Sequence, residues 1–83
     1  MTKYPEINEV KYLKANINYT EIMLLDGKII ISGYTLKKVI KSHYQNFLRI
    51  NRSIAINPKM IEHKEGNQIK VNNQIFTISR RRL

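Results

Sequence analysis

Cysteine is missing from the 83-residue chain, so neither disulfides nor thiolate metal ligands can reinforce its core, and nothing marks it for an oxidising compartment. The cytoplasm is the default expectation. Long apolar runs are missing too: stretches such as residues 29–31, all isoleucine, fall far short of the roughly 20 residues that a membrane-spanning helix needs. No basic stretch leads into a long apolar one at the N-terminus, which argues against a secretory leader. A membrane partner is not expected. Acidic residues are few, 6 against 15 Lys and Arg, for a formal net charge of +9. A chain this short hides a modest share of its surface on folding. One domain over residues 1–83 with one small core is therefore expected, and a deep active-site cleft is not.

Catalytic constellations are equally scarce. His43 and His63 are the two histidines, and neither belongs to a metal-ligand spacing such as HExxH. Both are expected to be structural or surface residues. Glu62 and Glu65 bracket His63, but adjacent strand residues point to opposite faces, and an acid–base pair has to converge. No glycine-rich phosphate loop is present. The expectation is a protein that is not an enzyme and uses no metal, no cofactor and no small-molecule substrate.

The positive charge that is present is unevenly placed. Residues 1–35 carry Lys3, Lys11, Lys14 and Lys28 against Glu6, Glu9, Glu21 and Asp26, and so balance to zero. Residues 36–83 carry eleven basic residues against Glu62 and Glu65, which accounts for the whole excess of nine. Such an excess strains the compact state by self-repulsion, and an anionic partner relieves it. Its confinement to the C-terminal part fits a phosphate-binding face. Charge alone does not separate DNA, RNA and anionic lipid as that partner, nor any of them from a merely basic surface.

Patterning along the chain is mostly that of strands. Val10, Tyr12 and Leu13 mark a first strand and residues 19–25 a second. Asp26-Gly27 reads as a hairpin turn into a third strand at 28–32, because the pair supplies the positive φ that such turns need. Thr35 can cap a helix in which Leu36, Val39, Ile40 and Tyr44 share one face, with Lys37, Lys38 and Lys41 on the others, ending near Gln45-Asn46. Phe47, Leu48 and Ile50 lead into a buried strand at 53–56 that Asn57-Pro58 stops. Ile61 starts a further strand. Gly66-Asn67 and Asn72-Asn73 then turn the chain into strands at 68–71 and 74–79. The pattern predicts about seven strands around one helix, with no linker or repeat.

Several segments occur in an order that resembles the LytTR-type DNA-binding domain of bacterial response regulators. They are Tyr12-Leu13-Lys14-Ala15, Asn18-Tyr19-Thr20, Asp26-Gly27, Thr35-Leu36-Lys37, the run from Arg49 through Asn57, and Ile78-Ser79-Arg80-Arg81. The resemblance covers about residues 8–82, and the Arg-x-x-Arg-Ser-x-x-x-Asn segment is its most specific part. It implies a compact β-sandwich of about seven or more short strands with one or two short helices. It also implies transcription regulation, by gripping duplex DNA through loops that enter successive major grooves. Two positions depart from the family pattern: Lys14 stands where an acidic residue is usual, and Asn51 where His commonly precedes the Arg-Ser pair. Relatives tend to run on beyond the position of Leu83 and to carry a receiver or membrane segment ahead of the domain. A free-standing regulator and a fragment of a larger one both fit.

The resemblance and the residue chemistry together nominate a contact set. Arg80 matches the family's base-reading arginine, and a guanidinium can form a bidentate fork with the O6 and N7 of guanine. Arg81 extends that basic cluster, whose alternative is a solvated terminal charge run that fits Arg82 best. Tyr19 matches the family's other base-proximal position, where it can give its hydroxyl to phosphate or pack on a thymine methyl, and Asn18 beside it can pair with adenine or phosphate. Their alternatives are a core strand residue for Tyr19 and a turn former for Asn18. In the family the pair matched by Arg52 and Ser53 touches the DNA backbone, a contact that orients without reading sequence. Lys59 is a further phosphate candidate. Arg49 is expected to be structural, pairing with an acidic neighbour, and Asn57 to cap the turn after it. The partner so implied is double-stranded DNA, with paired half-sites and a possible homodimer on them, because one small domain covers little sequence. Two other readings compete. An RNA-binding module would display stacking aromatics on a strand, which the five tyrosines do not provide. A protein-interaction partner or antagonist of a full-length regulator would keep the fold without reading DNA.

Overall fold

Alternating apolar and polar residues in the first third of the chain form three antiparallel strands: β1 (Val10–Asn16), β2 (Tyr19–Leu24) and β3 (Ile29–Ser32). The structure, a computed structural model, describes residues 4–80. β2 turns into β3 at Asp26-Gly27 as expected. Gly27 sits at φ 92, where a side chain would clash with its own backbone, and Asp26 Oδ1 accepts the Lys28 N–H at 2.9 Å. The helix α1 (Leu36–His43) follows, with the Thr35 side chain accepting the N–H of Lys38 as its N-cap. Leu36 and Val39 are buried, while Lys37, Lys38 and Lys41 are exposed. The helix ends slightly before Gln45-Asn46. Tyr44 leaves helical geometry at φ −133, and its buried ring donates its hydroxyl to the Pro5 carbonyl at 2.8 Å.

Five more strands complete the fold: β4 (Leu48–Arg49), β5 (Ile54–Ile56), β6 (His63–Glu65), β7 (Gln68–Val71) and β8 (Gln74–Thr77). Eight strands, one α-helix and two short 3-10 turns among the described residues make the protein mainly β, as the sequence predicts. Beyond shifts of a residue or two at element ends, three details differ from expectation. Leu48–Arg49 is a strand in its own right, paired with β5, rather than a lead-in. Ile61 starts no strand, because Asn57 and Pro58 open a 3-10 turn over Pro58–Met60 that postpones the next strand to His63. The last strand ends at Thr77 instead of Ser79. Gly66 at φ 59 and Asn72 at φ 54 occupy the two expected C-terminal turns.

The strands form two sheets, one ordered β3-β2-β1-β5-β4 and one ordered β6-β7-β8. β1 lies at the centre of the larger sheet, and both of its faces are buried. On one side Val10 and Leu13 pack with Leu36, Val39 and Tyr44 of the helical layer; on the other Tyr12 packs with Ile56, Ile69 and Val71 across to the smaller sheet. Simple alternation would put Val10 and Tyr12 on one face. The register shifts between these two residues, so Lys11 is an extra residue in a bulge, and the shift moves Tyr12 to the opposite core. Each fully buried aliphatic side chain in these clusters contributes about 1.5–3 kcal/mol relative to exposure. The two layers thereby hold the strand ends, and the turns that join them, in fixed relation.

Candidate nucleic-acid interface

Chain direction and register decide which turns meet. β1 runs toward a two-residue hairpin closed by the Asn16–Tyr19 pair, with Ile17 and Asn18 at its tip. β5 is antiparallel to β1, with Ile54 opposite Lys14, so the turn that precedes β5 arrives at that same end. The Ala15 N–H donates to the Ser53 carbonyl at 2.7 Å, which ties hairpin and turn together directly. The segment after β8 joins them through the Ser79 N–H, which donates to the Ile50 carbonyl at 2.7 Å. Asn18, Tyr19, Arg52, Ser53 and Arg80, far apart in sequence, are thus carried on three segments stitched together around residues 50–53. Asn18, Arg52, Ser53 and Arg80 are exposed; Tyr19 is half-buried.

The 50–53 segment is held from within. Asn51 Oδ1 accepts the N–H groups of both Ser53 and Ile54, at 2.8 and 2.9 Å, and so replaces ladder bonds that the turn cannot make. Arg49 spans the same turn, donating through Nε to the Asn51 carbonyl at 3.3 Å and through Nη2 to the Arg52 carbonyl at 2.7 Å. These bonds to main-chain oxygens give Arg49 a structural role in the turn. Arg52 and Ser53 are therefore displayed on a braced corner. The hairpin is braced as well, since Asn16 Nδ2 donates to Glu21 Oε2 at 2.7 Å. Lys14 is exposed on β1 beside this end, in register with Glu21.

Positive charge also flanks the hairpin from the helical layer. Thr20 is fully buried, and its Oγ1 donates to the Tyr34 carbonyl at 2.8 Å, which brings the start of α1 alongside. Lys37 and Lys38 are exposed in that first turn, and Lys38 Nζ lies 4.6 Å from the centre of the exposed Tyr34 ring. Helical spacing along the sequence puts these lysines on outward faces and goes no further. Their closeness to the hairpin depends on how α1 lies across β2.

Not every expected contact joins the cluster. Lys59 lies in the 3-10 turn after β5, where the Asn57 N–H donates to the Lys11 carbonyl at 3.2 Å. That is four β1 residues from Ala15, or about 13 Å of strand, toward the opposite end of the sheet. Asn57 is the cap it was expected to be: fully buried, it accepts the Lys59 N–H and donates Nδ2 to the carbonyls of Ile7 and Val10. Arg81 lies outside the described residues. His43 stacks on Tyr4 with ring centres 3.7 Å apart, and His63 meets Glu65 at 3.3 Å on an exposed strand. Among the described residues no group of three or more His, Asp or Glu side chains is placed to hold a metal. Nor is any helix among them long and apolar enough to cross a membrane.

A mainly β scaffold thus carries arginine, tyrosine and amide side chains on one braced set of turns. The family profile of the LytTr DNA-binding domain matches residues 2–83, essentially the whole chain. The protein belongs to the LytTR family, the DNA-binding domain of transcription regulators. No curated protein and no solved structure matches it closely enough to add to this assignment.

Proposed function

We propose that the protein regulates transcription by sequence-specific binding to duplex DNA, with Asn18, Tyr19 and Arg80 at base edges in the major groove and Arg52 and Ser53 on phosphate. The observation that carries this reading is the pair of main-chain bonds, Ala15 to Ser53 and Ser79 to Ile50, that sets the three segments side by side. Two strand spacings, about 10 Å, separate the start of β2 from the start of β5, a distance comparable to the ~12 Å width of a major groove. The hairpin can enter a groove while the 51–53 corner stands over its phosphate rim. Arg81 continues the arginine cluster, and Lys59 is left to a phosphate outside this footprint. Two copies on paired half-sites would supply the selectivity that one copy lacks.

The test is a fluorescence-anisotropy titration with promoter-derived duplexes and a single-stranded RNA competitor. Affinity should fall steeply with salt, because bound phosphates shed counterions. Arg80→Ala should relax discrimination between sites by about 1–3 kcal/mol, and Arg52→Ala should weaken all sequences alike. An unchanged preference ratio in Arg80→Ala would remove the base-reading role. Preference for the RNA competitor would replace duplex by single-stranded RNA as the partner.

A further inference from the structure

The hairpin tip presents a side chain that the fold does not use. Ile17 is 90% exposed and belongs to neither core cluster. It is also held at φ 54. A β-branched residue is an outlier in that left-handed region, because its Cβ crowds the following carbonyl, and glycine or asparagine is the ordinary occupant of such a turn. Stability argues twice against isoleucine here, once for strain and once for apolar surface left in water. The conformation persists because its surroundings over-determine it: the Asn16–Tyr19 pair closes the loop, Asn16 is bonded to Glu21, and Ala15 is bonded to Ser53. Strain and exposure together, one residue from Asn18 and two from Tyr19, point to a contact made only in the complex.

We infer that Ile17 is a specificity residue that packs against the C5-methyl group of thymine, at a base pair next to the one approached by Asn18 and Tyr19. The inference rests on the DNA reading above. The thymine methyl is the apolar group that a base pair offers in the major groove, and it is the feature that an aliphatic side chain can select. The polar neighbours complement this choice. Asn16 is occupied with Glu21, whereas Asn18 is exposed and able to bond an adjacent base edge. The tip thus pairs one aliphatic reader with one amide reader.

The experiment uses the full chain and a duplex selected by it from a random pool, with each thymine replaced in turn by deoxyuridine, which removes the methyl group alone. The wild-type protein should bind about fourfold more weakly at one or two of these positions, the worth of one buried methyl. Ile17→Gly should bind thymine and uracil duplexes equally, and its melting temperature should rise by a few degrees as the left-handed strain is relieved. Ile17→Val should keep the thymine preference. If no thymine-to-uracil change affects a wild-type complex that is still salt-dependent and sequence-selective, Ile17 reads no methyl and the DNA reading stands. If no selected duplex emerges from the pool, both readings fall.

Discussion

Arg52 and Arg80 are both exposed, yet the proposed function asks different chemistry of them. A phosphate oxygen accepts from any positive donor, whereas the edge of guanine rewards the planar fork that only arginine has. Arg52→Lys should therefore keep most of the affinity, while Arg80→Lys should lose discrimination nearly as far as Arg80→Ala; binding to cognate and scrambled duplexes in parallel separates the two. Asn51 works one step behind them. Its Oδ1 serves two main-chain donors, so Asn51→Ala leaves both without a protein partner and loosens the corner that carries Arg52 and Ser53. A stability loss of about 1–2 kcal/mol is expected in chemical denaturation, with weaker binding to every duplex. Histidine is the residue that resemblance leads one to expect at this position, and the asparagine here does its work through local hydrogen bonds.

At the scale of elements, the strands are joined by side chains that act as main-chain partners. Asn57 connects β5, the 3-10 turn at Pro58–Met60 and the turn at Ile7–Glu9, and none of its surface is exposed. Asn57→Ala should lower the unfolding free energy by about 1–3 kcal/mol, since the buried Val10 carbonyl loses its Asn57 donor and the partly buried Ile7 carbonyl loses one of two, and DNA affinity per folded molecule should change little. Thermal unfolding beside binding at low temperature tests this separation, because Asn57 lies at the end of β1 remote from the hairpin. Most of these elements were legible in the sequence. Asp26-Gly27, the capped helix at Thr35 and the two C-terminal turns follow from local sterics, and the structure has each of them. The short β4 and the delayed β6 were not legible: two residues are too few to show a period, and the Asn57-Pro58 pair marks a stop without fixing the conformation of the residues after it.

At the scale of the whole molecule, the net charge of +9 should show in the salt response. A plot of log affinity against log salt should fall with a slope of roughly −0.9 for each phosphate neutralised, and Arg52→Ala should make that slope shallower by about one while Tyr19→Phe leaves it unchanged. Global stability should also respond to alkaline pH through Tyr44. Burial first, and then the neighbouring Tyr4, Glu6 and Glu9, push its hydroxyl up from 10.0 to about 12. The folded state therefore keeps this proton after the unfolded chain has released it. Stability should be independent of this group below pH 10 and decline between pH 10 and 12, and Tyr44→Phe should flatten that decline in a urea-denaturation series.

Local features of this protein arise from residues a few positions apart: the turns from glycine, asparagine and aspartate, the helical face from spacing, and the basic excess from counting. Sterics and short-range hydrogen bonds act within that reach, so they can be read along the chain. The meeting of Tyr19, Arg52 and Arg80 at one end of a sheet, and the placement of Lys59 toward the other, cannot be read in that way. Both depend on the register of β5 against β1 and on the bulge at Lys11. That register is selected by packing two cores on opposite faces of one strand at once, a long-range condition that no short segment contains.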